Sequence, residues 1–188
     1  MLSSSFSTNA KRGKAAMAAA AFCATAIFAP APAAADEAWR AALPQAQPLG
    51  GGDLTWFGLR IYNATLWAAQ RPFDGTQPFA LQLSYYRSIR RTRLVSTSMD
   101  EIRRLNHSVP AATLARWQGL LANTFVDVVA GDQLVGVYQP GRGMQLYDSH
   151  HLLAQLDDAE LARAFFDIWL HPDTRDQGLR RQLLGATP

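Results

Sequence analysis

Residues 50–67 read GGGDLTWFGLRIYNATLW, and they carry the strongest indication of how this chain folds. Three consecutive glycines precede a segment of apolar and aromatic residues that contains a single arginine. The pattern over residues 54–68 predicts one strand with bulky groups on both faces, so that both faces are at least partly covered. A glycine run that cradles phosphate follows a strand and opens a helix. Because residues 50–52 precede a strand instead, they predict a flexible entry or a β-bulge.

Arg60 is the unusual residue of this segment, because a charged side chain on a largely covered strand needs a partner. The sequence offers two carboxylates as candidates, those of Asp53 and Asp148. A bound ligand is the other candidate. The residues alone do not separate these alternatives.

The flanking segments predict the rest of a sheet and its helices. Residues 78–87 alternate apolar and polar side chains, which predicts a second hairpin strand. Helical spacing follows over residues 91–106 and again after Pro110. Further elements are expected at 39–47 (a short helix), 133–139, 144–148 and 152–156 (strands), from Asp157 or Asp158 (a capped helix) and near 175–184 (a last helix). This order predicts the α+β class, with an antiparallel-rich sheet layered with helices.

Residues 1–35 have the pattern of a secretory signal peptide. The basic segment KRGK at 11–14 precedes an uncharged run over 15–28, and three alanines end the segment at Ala35. A spanning helix needs about 20 apolar residues, and prolines interrupt this run earlier. We expect export to the periplasm, cleavage after Ala35, a single domain over 36–188 and no stable membrane anchor afterwards. The alternative is an uncleaved N-terminal anchor.

The composition after residue 35 excludes several classes of function. The formal charge of +3 comes from three basic residues at 11–14, which leaves 15 arginines against 15 acidic residues. Nucleic acid binding needs a cationic surplus, so we expect no nucleic acid partner. The single cysteine, Cys23, precedes the cleavage site, which excludes disulfides and thiolate metal sites. His150 and His151 are adjacent and point apart on a strand, so we expect no metal site and no cofactor.

Six arginines lie close together in the sequence, within residues 87–104, where the acidic residues are Asp100 and Glu101: Arg87, Arg90, Arg91, Arg93, Arg103 and Arg104. One interpretation is a solvated helix face with local salt bridges. The other is an anion site, since guanidinium groups offer paired donors that match a carboxylate. In that case Tyr86 and Arg87, where the strand leaves the sheet, could hold the head of an amphipathic acid.

Four motifs in a fixed order resemble the bacterial chalcone isomerase-like proteins. They are G-x-L-x-W-x-G-L-x-I-Y-x-A-x-L-W at 52–67, PFAL-x-L-x-Y at 78–85, GD-x-L-x-GVY-x-PG-x-G at 131–143, and FF-x-IWL-x-P-x-T with LRR-x-LLG at 165–185. The resemblance spans nearly all of the chain after residue 35. It implies an antiparallel sheet layered with helices and a ligand cleft between the two.

The resemblance also bears on catalysis. In the plant enzymes of this fold an arginine, a threonine, a tyrosine and an asparagine guide ring closure of a chalcone. Phe57 stands at the threonine position here, residues 41–59 contain no arginine, and the other two positions fall near Thr92 and Ser98. Losing one such charge-stabilising group typically slows a reaction by about a hundredfold or more. Other members of the fold bind fatty acids without catalysis, through an arginine and a tyrosine.

Two main hypotheses follow. The first is an exported, non-catalytic protein that binds an apolar or fatty-acid-like ligand in a cleft between sheet and helices. Its candidate ligand-binding residues are Phe57, Leu59, Arg60, Tyr62, Tyr86 and Arg87. The second is an isomerase (an intramolecular lyase) acting on a chalcone- or enone-like substrate with an altered site. A purely structural partner of an envelope complex is a third option.

Overall fold

The computed structural model describes residues 38–186. These residues lie within one compact unit, which contains its own hydrophobic core. The predicted signal peptide, residues 1–35, lies outside the described residues and stays a prediction. Within the described part of the chain, no helix combines the length and apolar character needed to cross a membrane.

A six-stranded antiparallel sheet forms the centre of the domain, with its strands side by side in sequence order. The strands are β1 Gln47–Trp56, β2 Leu59–Ala68, β3 Phe79–Tyr85, β4 Gln133–Gln139, β5 Gly143–Tyr147 and β6 Leu152–Leu156. A short 3-10 helix at Ala38–Ala41 precedes them, and it is shorter than the helix expected over 39–47. Every strand pairs with its neighbour in the chain, which confirms the antiparallel-rich sheet.

Four helices contribute side chains to one core on a single face of this sheet. They are α1 Arg91–Leu105, α2 Ala111–Thr124, α3 Ala159–Leu170 and α4 Gln177–Leu183. Their apolar faces meet the inward side chains of the strands in one buried cluster. Asp158 caps α3, because its carboxylate accepts a hydrogen bond from the Leu161 N–H at 2.9 Å. The predicted α+β class is therefore confirmed.

The opposite face of the sheet is only partly covered. Trp39, in the 3-10 helix, is buried against Val135, Val137 and Tyr147 of the central strands. The Trp39 and Trp67 rings lie 5.4 Å apart between centroids. Both faces of β2 thus carry covered bulky groups, as the pattern over residues 54–68 indicated.

The single strand expected over residues 54–68 is wrong, because the chain reverses in its middle. Phe57 and Gly58 have φ angles of +47° and +74°, and this two-residue turn joins β1 to β2. Such turns usually contain Asn, Asp or Gly at the first central position. Phe57 gives no such signal, and the apolar pattern continues unbroken from one strand into the next.

The glycine run lies inside β1, where helix α4 approaches the backbone. A β-carbon on Gly50 would stand 2.0 Å from the carbonyl oxygen of Gln182. One on Gly52 would stand 1.8 Å from the side-chain oxygen of the same glutamine. The pairing register also shifts between Pro48 and Gly50, which confirms the expected bulge. The run is therefore a place of close packing and not a flexible entry.

Candidate functional site

Most of the predicted site residues lie at one edge of the sheet. An edge here is a side of the sheet where strands start and stop. Because the strands alternate in direction, β1, β3 and β5 end on this side, and β2, β4 and β6 begin there. The β1–β2 turn at Phe57 and Gly58 lies at this edge, here named the hairpin end.

A bulge at the hairpin end decides which way Arg60 points. Leu54 pairs with Tyr62, but the next residue of β1, Thr55, pairs with Arg60. Ile61 is therefore an extra residue on β2, and such a bulge reverses the alternation of side chains beyond it. Strict alternation would put Arg60 and Tyr62 on the same face, as the sequence pattern predicted. The bulge separates them.

Arg60 joins a polar cluster on the face away from the helices, and the members of this Arg60 cluster are Asp53, Arg60, Asn63 and Tyr86. The Arg60 Nε donates to the Asp53 carboxylate at 2.7 Å, and its Nη2 donates to the Tyr86 hydroxyl. The Tyr86 hydroxyl and the Asn63 amide donate to the same carboxylate at 3.0 Å and 2.9 Å. Asp53 is thus the partner of Arg60, one of the two carboxylates that the sequence offered.

The charges of the Arg60 cluster balance within it. The Asn63 amide, with help from Arg60 and Tyr86, holds the pKa of the Asp53 carboxyl below its usual range, and burial opposes this only in part. Burial and then the neighbouring Asp53 carboxylate raise the pKa of Tyr86. At neutral pH the cluster therefore contains one carboxylate, one guanidinium and a neutral phenol. The guanidinium carbon lies 3.9 Å from the centroid of the Tyr86 ring.

Apolar side chains beside this cluster are open to solvent. The exposed fractions of Trp56, Phe57 and Leu59 are 59%, 88% and 50%. The rings of Trp56 and Phe57 lie 5.2 Å apart between centroids. The hairpin end thus combines a charged pair with an apolar tip, a combination that suits an amphipathic ligand.

Comparison with known proteins identifies the family. Residues 55–185 match the family model described as chalcone isomerase-like. The chain belongs to the chalcone isomerase-like family. A protein of Haemophilus influenzae, described only as uncharacterized, is 28% identical over 142 residues, which cover 75% of this chain and 69% of that protein.

A solved structure shares the fold of this chalcone isomerase-like protein. It is the crystal structure of an Arabidopsis thaliana fatty-acid binding protein, with a TM-score of 0.57 and 12% sequence identity. The match covers 75% of this chain and 87% of that one. At this identity the likeness concerns the fold alone.

Aromatic groups pack together on the helix-facing side of the hairpin end. Tyr62 accepts a hydrogen bond from the Trp169 Nε1 at 2.9 Å, and the Tyr62 and Tyr85 rings lie 5.7 Å apart. Burial raises the pKa of both tyrosines above the ordinary value. Both phenols are therefore neutral at physiological pH and are poor candidates for a general base. They lie in the layer between sheet and helices, where the family resemblance implied a cleft.

The six candidate residues of this chalcone isomerase-like protein occupy four environments. Phe57 and Leu59 form the exposed tip, Arg60 and Tyr86 are hydrogen-bonded to each other, and Tyr62 faces the helices. Arg87 follows Tyr86 and is exposed. Their role in ligand binding stays a prediction.

The sequence did not predict Asn63 or Trp169 as site residues. Asn63 donates to Asp53 in the Arg60 cluster, and Trp169 donates to Tyr62 on the other face of the sheet. Asn63 faces Asp53 across the β1–β2 ladder, so the correct hairpin register would have found it. Trp169 is 107 residues from Tyr62 in sequence, and no local pattern links them.

Metal sites and grooves are the other kinds of site that the described residues could form. No group of three or more metal-ligating side chains occurs among residues 38–186. An open groove of about 260 Å³ lies at the opposite edge of the sheet, lined mainly by alanine and proline, including Ala42, Ala68 and Pro78. It offers an apolar lining but no cationic group.

Proposed function

We propose that this chalcone isomerase-like protein is an exported, non-catalytic binder of a fatty-acid-like ligand. In this proposal residues 1–35 direct export and are removed after Ala35. The hairpin end of the sheet receives the ligand's carboxylate. The observation that carries the proposal is the Arg60–Tyr86 pair beside an exposed apolar tip, in a fold shared with a fatty-acid binding protein.

The chemistry of the Arg60 cluster suits a carboxylate. A guanidinium has five N–H donors in a fixed planar arrangement. Two of its nitrogens already donate, to Asp53 and to Tyr86, and 57% of the Arg60 side chain is exposed. A ligand carboxylate could bind the remaining donors, or replace Asp53 and take over its hydrogen bonds from Arg60 and Tyr86. Charge-assisted bonds of this kind are about twice as strong as neutral ones.

The apolar part of the ligand would contact the tip of the hairpin. Trp56, Phe57 and Leu59 together offer exposed apolar area next to Arg60. Burying such area contributes about 25 cal/mol for each Å² removed from water. The alternative position for the ligand chain is the layer between sheet and helices, where Tyr62 accepts a hydrogen bond from Trp169.

Titration with a medium-chain and a long-chain fatty acid tests the proposal. The domain from Asp36 onward would be freed of bound lipid, and binding followed by calorimetry. We expect Arg60→Gln to weaken binding by about tenfold or more, since a charge-assisted pair contributes about 1.5–3 kcal/mol. The fatty alcohol of the same length is the matched ligand control and should bind wild type and Arg60→Gln alike. Equal fatty-acid affinity for wild type and Arg60→Gln would reject this carboxylate site.

A second variant separates the two positions of the ligand chain. Tyr62→Phe removes only the hydroxyl that accepts from Trp169, on the opposite face of the sheet from the Arg60 cluster. If the ligand lies at the tip, this variant should bind with unchanged affinity. An altered affinity would indicate the layer between sheet and helices instead. N-terminal sequencing of the protein from a periplasmic fraction tests export, and the expected first residue is Asp36.

A further inference from the structure

The exposed large apolar side chains of residues 38–186 gather at one end of the domain. They are Trp56, Phe57, Leu59, Tyr86, Val126, Val129 and Leu152. The strand order explains the grouping: the first three form the β1–β2 turn, Tyr86 follows β3, the two valines lie in the segment leading to β4, and Leu152 begins β6. Scattered exposed apolar residues are ordinary, whereas neighbouring ones such as Trp56, Phe57 and Leu59 indicate an interaction surface.

The tip of the β1–β2 hairpin projects beyond the rest of this end. The last residue of β2 that pairs with β3 is Tyr62, and the backbone contact from Tyr86 to Ile61 lies just beyond it. Beyond that point, the residues of β2 up to the turn pair with β1 alone among the described strands. Two to three strand residues correspond to about 7–10 Å. The apolar tip is therefore convex and suits a penetrable partner better than a preformed pocket.

Phe57 occupies its position at an energetic cost. Its φ of +47° lies in the left-handed region, which costs a residue other than glycine about 1–2 kcal/mol. Its side chain is 88% exposed, so packing within the described domain does not offset this cost. A phenylalanine held in this way is better explained by a contact outside the domain than by the stability of the fold.

Cationic side chains lie at the same end of the domain as the tip. Arg87, Arg90, Arg91 and Arg93 lie between β3 and the first turn of α1, and all four are exposed. No hydrogen bond or ion pair joins their guanidinium groups to another described residue. The segment from Tyr86 to Met99 contains no acidic residue.

The carboxylates at this end are already engaged. Asp53 binds Arg60, and backbone N–H groups donate to the side chains of Asp127, Asp132 and Asp148 at 2.6–2.8 Å. These backbone bonds leave the charge on the three carboxylates but fix where they point, and none of the three forms an ion pair with Arg87, Arg90, Arg91 or Arg93. The four arginines thus remain without a carboxylate partner among the described residues, and they favour an anionic partner.

From these observations we infer that the hairpin end docks on the surface of an anionic lipid bilayer. Trp56, Phe57 and Leu59 enter the headgroup region, where aromatic side chains are favoured. The arginines from Arg87 to Arg93 contact lipid phosphates around them. Binding is peripheral and reversible. This inference goes beyond the proposed function, because docking needs no fatty-acid ligand.

Vesicle flotation tests the inference without any free fatty acid. The domain from Asp36 onward is mixed with vesicles of phosphatidylglycerol and phosphatidylcholine at about 1:3, at low salt. We expect wild type to float with these vesicles and to stay behind with pure phosphatidylcholine. Phe57→Asn should weaken binding about tenfold, since it removes an exposed aromatic group. Because asparagine tolerates the left-handed region, this variant should fold at least as well as wild type.

Charge variants and matched controls complete the test. Arg90→Gln should weaken binding about fivefold at low salt and less at about 0.5 M salt, where screening is strong. Arg142→Gln, in the β4–β5 turn at the opposite edge, should have no effect. Equal vesicle binding by Phe57→Asn and wild type would overturn the inference. A second result would also overturn it: wild type self-associates in light scattering but binds no vesicles, and Phe57→Asn no longer self-associates. The tip would then serve a second copy of the chain.

Discussion

Gly50→Ala should destabilise this protein strongly, because the backbone of α4 leaves no room for a methyl group. The new β-carbon would stand 2.0 Å from the Gln182 carbonyl oxygen, 2.8 Å from the Leu183 carbonyl oxygen and 2.9 Å from the Gly185 nitrogen. Real β-carbon contacts essentially never fall below 3.0 Å, so α4 and β1 must separate by about 1 Å. Overpacking of this kind costs about 1–3 kcal/mol and occasionally more.

The displacement also loosens the packing of α4. Leu179 and Leu183, which are 3% and 0% exposed, hold this short helix on the sheet. Partial loss of their burial adds to the clash, since a fully buried leucine contributes about 1.5–3 kcal/mol. We expect a total loss of about 3 kcal/mol in the free energy of unfolding. For a domain of this size, that corresponds to a decrease in Tm of about 6–12 °C.

Urea denaturation followed by circular dichroism measures this loss, and Gly52→Ala is the matched control. Its β-carbon would meet the Gln182 side chain at 1.8 Å, and that side chain can move away, so we expect a loss of only about 1 kcal/mol. Gln182→Ala should restore the stability of Gly52→Ala but not that of Gly50→Ala, because only a side-chain clash is removed. If Gln182→Ala rescues Gly50→Ala, the backbone of α4 is not the obstacle and the reasoning fails.

Three further predictions use the same denaturation assay. Phe57→Asn should raise the free energy of unfolding by about 1 kcal/mol by relieving the left-handed φ, whereas Leu59→Asn, on the strand beside it, should not; a gain from both would refute the turn argument. Gly119→Ala should add about 0.5–1 kcal/mol, since no atom within 4 Å obstructs a methyl group in α2, and a decrease would contradict it. Burial raises the pKa of the Asp158 carboxyl, but hydrogen bonds from the Leu161 N–H, Arg116 and Trp117 outweigh this effect. The net result is a pKa below the usual range. Its stabilising effect is therefore present above the unfolded pKa of about 3.9 and is lost as the pH falls through the folded pKa. Wild type should lose more stability than Asp158→Asn on acidification below about pH 4, and parallel pH profiles would exclude the carboxylate as the cause.

Local patterns predicted most of the elements of this domain. The alternation over residues 78–87 and the apolar run over 133–139 predict strands, and the spacing after Pro110 predicts a helix. These predictions held because a strand or helix with one buried face repeats its apolar residues at a fixed period. The family resemblance rested on motifs of the same elements, and the match over residues 55–185 confirms it.

The hairpin end was less accessible to such patterns. The turn at Phe57 was missed because a phenylalanine there has no local advantage, and the bulge at Ile61 was missed because alternation continues on either side of it. The bulge alone separates Arg60 from Tyr62 and directs Arg60 to Asp53 and Tyr86.

By itself, the sequence determined the α+β class, the order of the elements and the need of Arg60 for a partner. Only the tertiary structure decided which carboxylate that partner is, why three glycines precede the turn, and that the exposed apolar side chains meet at one end. The physical reason is the separation along the chain of the residues that interact. Periodicity and capping act within a few residues, whereas the contact of Gly50 with Gln182 and that of Tyr62 with Trp169 join segments more than 100 residues apart.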